Sequence, residues 1–164
     1  MGDISYMRIV LVTQGVIVKF NKTVLTLCIL SVYFLSGCST ISNNDQTLFT
    51  RIGGKEKLAT ITSETLDKMV ADPRTKRSFD GVKMQPLKES FTNFLCLKTG
   101  GDCVYEGETM KNSHADAKIT TAEFELMVQS LRETLDANGI ANREKNELLK
   151  ILAPMKHDVV YSGE

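Results

Sequence analysis

Apolar side chains return at helical spacing along most of the chain beyond residue 47. Leu58, Ile61, Leu66, Met69 and Val70 fall on one helix face, and the run stops at Ala71-Asp72-Pro73, where proline cannot continue it. Pro86 stands where a first helical turn tolerates it. Leu87, Phe91, Phe94 and Leu95 then follow at i, i+4, i+7 and i+8 until Gly100-Gly101 breaks the pattern. Thr120-x-x-Glu123 reads as a capping box, in which hydroxyl and carboxylate each satisfy a free backbone N–H, ahead of Phe124, Met127, Val128, Leu131 and Leu135. Gly139 closes this third helix as a left-handed cap. Asn142 opens a fourth, with Leu148, Ile151, Leu152 and Met155 on one face and Pro154 kinking its end. No stretch alternates with period two over a strand's length, so the expected fold is all-α, two antiparallel helix pairs with short connections. Between the pairs, the polar piece 105–118 places Met110 and His114 one turn apart on the same helix side.

The N-terminal part has a different pattern. From Val24 to Ser36 the segment VLTLCILSVYFLS is apolar apart from Thr26, Ser31 and Ser36; Lys19 and Lys22 precede it and a polar stretch follows Gly37-Cys38. It is short for a membrane span and has the layout of a secretory signal. Leu35-Ser36-Gly37-Cys38 resembles the bacterial lipobox, which implies cleavage before Cys38 and a diacylglycerol on its sulfur; the plainer alternative is a signal-anchor helix with a chance cysteine. Ser39 beside the lipidated residue favours the outer membrane. Residues 1–37 are therefore expected to be a signal peptide, and 38–47 the lipidated cysteine and its tether. The opening MGDISYMRIVLVTQGVI adds a second apolar stretch where a short basic start is usual, so translation is expected to begin near Val18.

Composition narrows the function. The 164 residues carry 20 Lys+Arg against 20 Asp+Glu, and loss of residues 1–37 leaves 17 basic against 19 acidic groups. Such a body offers no gathered basic face, so nucleic acid is not an expected partner. No phosphate-binding loop, serine-hydrolase elbow or zincin motif occurs. Glu123 with Glu125, and Glu144 with Glu147, read as solvated outer faces of amphipathic helices and receive no role.

Cys28 lies inside the signal and Cys38 at its end, whereas Cys96 and Cys103 flank Gly100-Gly101. The last two fall short of a zinc site and, in an exported protein, are expected to form a disulfide. No C-x-x-C-H occurs, so covalent haem attachment of the cytochrome c kind is excluded. His157 belongs to the charged end LAPMKHDVV. An isolated histidine such as His114 is most often structural or exposed. Against that, Phe79, Phe91 and Phe94 gather near it in a chain that is 7% aromatic, and a neutral imidazole in an apolar slot suits the axial position of an iron porphyrin. From the residues alone both readings stay open.

LFTRIGG (Leu48 to Gly54), MVADPRTKRSFDGVKM (Met69 to Met84), FTNFLCLKTGGDCVYEG (Phe91 to Gly107), MKNSHADAKIT (Met110 to Thr120) and ILAPMKHDVV (Ile151 to Val160) stand in series. With that spacing, 48–160 resembles the group I truncated haemoglobins, in an exported, lipid-anchored variety, leaving 161–164 as a tail. The resemblance implies a two-over-two helical sandwich around haem b, with His114 as the axial ligand of the iron and Phe79 against the porphyrin face. It puts Met110, Ile119 and Phe124 on haem-lining positions, Tyr105 near the propionate edge, and the two glycine pairs at sharp helix turns.

On the distal side the chain departs from the family pattern. Many members place a tyrosine where this chain has Leu66 and a glutamine where it has Phe91, and Leu87 takes the position facing the ligand. No side-chain donor remains there, which puts nitric oxide dioxygenation and tight oxygen storage in doubt. The expected function is a haem b protein that binds O2, NO or CO at the cell envelope, facing the periplasm, with ligand binding or haem redox chemistry as its role, any peroxidase-like activity secondary, and an unidentified reductase as a further partner. The alternatives are a haem-free helical lipoprotein acting as an interaction module, and a haem carrier.

Overall fold

The computed structural model describes residues 46–162. The signal segment with its start near Val18, Cys28, the lipobox, Cys38 and the tether to Asp45 lie outside the described residues, as do the last two. Helix α1 covers Leu48–Ile52, α2 Gly54–Ala71, α3 Met84–Lys98, α4 Met110–His114, α5 Thr121–Ala137, α6 Asn142–Leu152 and α7 Lys156–Val159; 3-10 turns occupy Lys76–Phe79 and Ala153–Met155. The described residues contain no strand, only an isolated parallel bridge between Ile119 and Val160. The all-α expectation holds.

Local chemistry accounts for where the helices begin and end. Gly53 (φ 111°) ends α1 and Gly54 (φ 80°) starts α2, a left-handed pair that other residues adopt only with strain. Thr75 Oγ1 donates to Met69 O at 2.6 Å, closing the end of α2 from inside. The capping box of α5 forms in both directions. At its other end Gly139 N–H reaches Asp136 O and Ile140 N–H reaches Leu135 O, the two bonds of a Schellman cap. Pro154 lies in the 3-10 turn that separates α6 from α7, so the kink is a short change of helix type.

α2 packs against both α3 and α5. Its buried stripe is Leu58, Ile61, Thr62, Thr65, Leu66 and Met69. With Leu48, Ile52, Phe94, Leu95, Leu131, Leu135 and Leu148, residues Leu58 and Ile61 build the main core; each fully buried Leu or Ile contributes roughly 1.5–3 kcal/mol by leaving water. The start of the domain docks on the end of α3 through Phe49 N–H to Thr99 O at 2.8 Å. A side chain at Gly101 would stand 2.5 Å from Cys96 Sγ and 2.8 Å from Phe49, so only glycine admits this approach.

Two of the four carboxylates need correction, Glu123 and Glu144, whereas Glu125 and Glu147 are 58% and 41% exposed, as a solvated face requires. Glu144, its side chain 13% exposed, pairs with the 8% exposed Arg51 of α1, and the more open Glu147 pairs with the same guanidinium, so that both bind α1 to α6. Glu123 is buried. Periodicity placed these carboxylates on a polar face, but a buried cation or hydroxyl from another element converts such a face into an interior contact.

Candidate functional site

His114 ends α4, a helix of five residues. A helix so short is not stable alone and is held by what surrounds it. Thr109 caps it by accepting from Asn112 N–H at 3.2 Å. Ahead of the cap, Tyr105 packs edge-on against Phe94 with centroids 5.3 Å apart and donates its hydroxyl to Glu108 O at 2.8 Å. The Cys96–Cys103 disulfide, with Cα atoms 5.9 Å apart, ties the end of α3 to the same loop, as expected. On the far side α7 packs against α4.

The imidazole is half-buried, and its Nδ1 lies 2.8 Å from Met110 O. A carbonyl cannot donate, so Nδ1 carries the proton of the neutral ring and Nε2 keeps its lone pair. No described residue bonds Nε2. Beyond His114, Ala117 N–H returns to His114 O at 3.1 Å and Tyr161 N–H donates to Ile119 O at 2.8 Å, pinning both ends of the following turn.

The predicted site residues divide between two settings. Phe91 and Met110 are half-buried and pack against the main core. Leu66 (4% exposed) and Ile119 (9%) are buried outside it. Phe79, Leu87 and Phe124 are half-buried apolar side chains that the main core does not take in. Lys156 Nζ lies 5.5 Å over the Phe124 ring. His157 is exposed, as expected.

Polar pairings that periodicity does not reveal lie on the same elements. Thr62 and Thr92 hydroxyls meet at 2.7 Å between α2 and α3. Each hydroxyl also has a backbone carbonyl as acceptor, Lys88 O at 2.7 Å from Thr92 Oγ1 and Ala59 O at 3.1 Å from Thr62 Oγ1. Glu123 accepts from Thr120 N–H, Thr120 Oγ1, Ser78 Oγ and the Arg77 guanidinium. Burial alone would raise its pKa, but these four donors outweigh it and hold the carboxyl below its ordinary value. The guanidinium and N–H of Arg74 hold Asp72 down to about 2, fixing the turn between α2 and Phe79. An open groove of about 600 Å³ runs along Arg74, Arg77, Glu123 and Gln129, and none of the predicted site residues lines it.

Residues 47–161 match the family model of the bacterial-like globins. A group 1 truncated haemoglobin of Mycolicibacterium paratuberculosis is 30% identical over 117 residues, covering 71% of this chain and 85% of its own. The chain belongs to the bacterial-like globins. Its truncated two-over-two form is shared with the group 1 truncated haemoglobin of Tetrahymena pyriformis, 25% identical over 118 residues and 72% of this chain and 98% of the relative. The solved Fe(III) form of that protein superposes with a TM-score of 0.67 over 70% of this chain and 98% of the other. The fold is shared too by the haemoglobin of Synechococcus in its cyanomet state with covalently attached haem, at a TM-score of 0.65 and 23% identity over 70% and 98% of the two chains.

Proposed function

We propose that this truncated globin holds haem b through His114 Nε2 and binds small diatomic gases, O2, NO or CO, against an apolar wall made by Leu66, Leu87 and Phe91. Membership of the globins supports the cofactor and the class of ligand. The observation that carries the reading is the bond between His114 Nδ1 and Met110 O at 2.8 Å. It fixes the tautomer and ring plane with Nε2 as the ligating atom, as partners of metal-bound histidines generally do. The apolar residues fit a porphyrin as well. Phe79, Leu87 and Phe124 are apolar, half-buried and outside the main core, which leaves them surface to cover a large flat apolar group. When bound, haem supplies an iron with one position for the histidine and one for a gas.

The chain's own part is to hold that iron and to choose among gases. Leu66, Leu87 and Phe91 give no hydrogen to a bound ligand, and the nearby Thr62 and Thr92 hydroxyls have acceptors of their own in Ala59 O, Lys88 O and each other. Thr65 Oγ1 is buried without a partner. At about 100° per residue it points well away from Leu66, on the part of α2 that Glu64–Asn138 and Lys68–Glu133 join to α5.

For location, we infer export with a lipid anchor on Cys38, the globin domain facing the periplasm from the outer membrane. The signal layout and lipobox support it, and so does the Cys96–Cys103 disulfide, which forms and persists in oxidising compartments. Haem titration tests the main reading. The chain takes up one haem with a Soret band, and His114→Ala loses the band and melts lower, because haem stabilises only the folded state. Stoichiometric haem in His114→Ala contradicts it.

A further inference from the structure

Glu123 is the one buried acidic residue among the described residues, 6% exposed. Its capping box with Thr120 explains two of its bonds, from Thr120 N–H at 2.9 Å and Thr120 Oγ1 at 2.8 Å. Helix capping does not explain the other two. Ser78 Oγ donates to Oε1 at 3.0 Å, and Arg77 Nη2 donates to Oε2, from a turn 45 and 46 residues earlier in the chain. That turn, Lys76–Phe79, ends on the phenylalanine assigned to the porphyrin face. Arg77 Nη2 has two hydrogens, and the second goes to Lys118 O at 3.1 Å.

Lys118 is the only non-glycine residue with positive φ among the described residues, at 46°. A lysine holds this left-handed conformation at a cost, so the surroundings must impose it. It stands in the turn that starts at His114 O and ends at Thr120, both fixed by hydrogen bonds. One carboxylate is thus joined both to the residues just before Phe79, through Ser78 at Oε1 and Arg77 at Oε2, and to the turn just after His114, through Thr120 at Oε2.

We infer that Glu123 is a positioning residue for the haem site: through Ser78 and Arg77 it sets Phe79, and through Thr120, Arg77 and Lys118 O it sets the backbone that carries His114. The inference rests on His114 being the iron ligand. Neither Glu123 nor Arg77 touches the gas, so their effect is on haem retention and on the iron–histidine bond.

The test compares Glu123→Gln and Arg77→Met in the haem-loaded protein. Glutamine keeps a capping-box acceptor for Thr120 N–H but loses the charged bond to Arg77; methionine leaves the box whole and cuts the ties to Glu123 and Lys118 O. Both variants are expected to lose haem to excess acceptor globin several-fold faster. Both should also shift the iron–histidine stretching band in resonance Raman spectra and speed amide exchange at Ala117. Unchanged haem loss and an unchanged band in Arg77→Met, with only the melting temperature lowered, overturn the inference and leave Glu123 a helix cap. A wild-type protein with haem bound but no iron–histidine band overturns the assignment of His114, and this inference with it.

Discussion

O2 polarised by a ferrous haem carries partial negative charge and gains from a hydrogen-bond donor, whereas carbon monoxide hardly does. In the proposed pocket of Leu66, Leu87 and Phe91 that gain would be absent. A bond of this partly charged kind contributes about 1.5–3 kcal/mol, so O2 should leave roughly one to two orders of magnitude faster than from a pocket with a tyrosine donor. Leu66→Tyr, alone and with Phe91→Gln, is expected to slow O2 release in flash photolysis or stopped flow while carbon monoxide release stays nearly constant. Equal slowing of both gases would mean that the larger side chains narrow the exit and that the electrostatic account is wrong. An ordered water standing in for the donor needs two or more polar partners, which two leucines and a phenylalanine do not offer.

Among the elements, the loop between α3 and α4 carries a covalent tie, the disulfide from Cys103 to the end of α3. The Cys96–Cys103 bond closes eight residues, worth about 2.5 kcal/mol in the chain-entropy account. Reduction, or Cys103→Ser, is expected to lower the melting temperature by several degrees in calorimetry and to loosen the loop leading to His114. An unchanged transition would show that Gly101, packed on Cys96 and Phe49, and Tyr105, packed on Phe94, hold the loop without it. The helices themselves were legible because one side of each must leave water: Leu58, Ile61, Leu66 and Met69 mark α2 by spacing alone, and Thr120 with Glu123 marks the start of α5. The partners of Glu123 and Arg51 were not legible. Periodicity reports which face a residue takes and says nothing of an arginine or serine that arrives from 45 to 96 residues away. His114 stood between, since its spacing from Met110 predicted the shared helix side but not the Nδ1 bond that frees Nε2.

At the scale of the molecule, a globin domain matched over residues 47–161 follows a stretch read as signal and tether. Lipidation at Cys38 predicts that the expressed chain incorporates labelled fatty acid and partitions with membranes, and that Cys38→Ala does neither; a soluble, unlabelled wild-type product would remove the anchor from the account while leaving the haem site intact. The fold positions that site by converging ties: disulfide and Tyr105 before α4, Tyr161 and the Glu123 network after it. All of them flank the short helix that carries His114, the residue proposed to bond the iron. The most direct measurement is the Soret spectrum of ferrous His114→Gly with carbon monoxide, with and without added imidazole. The account predicts little bound haem in the glycine variant and a band that returns as imidazole fills the vacated position. A full band in His114→Gly, indifferent to imidazole, would mean that another residue holds the iron.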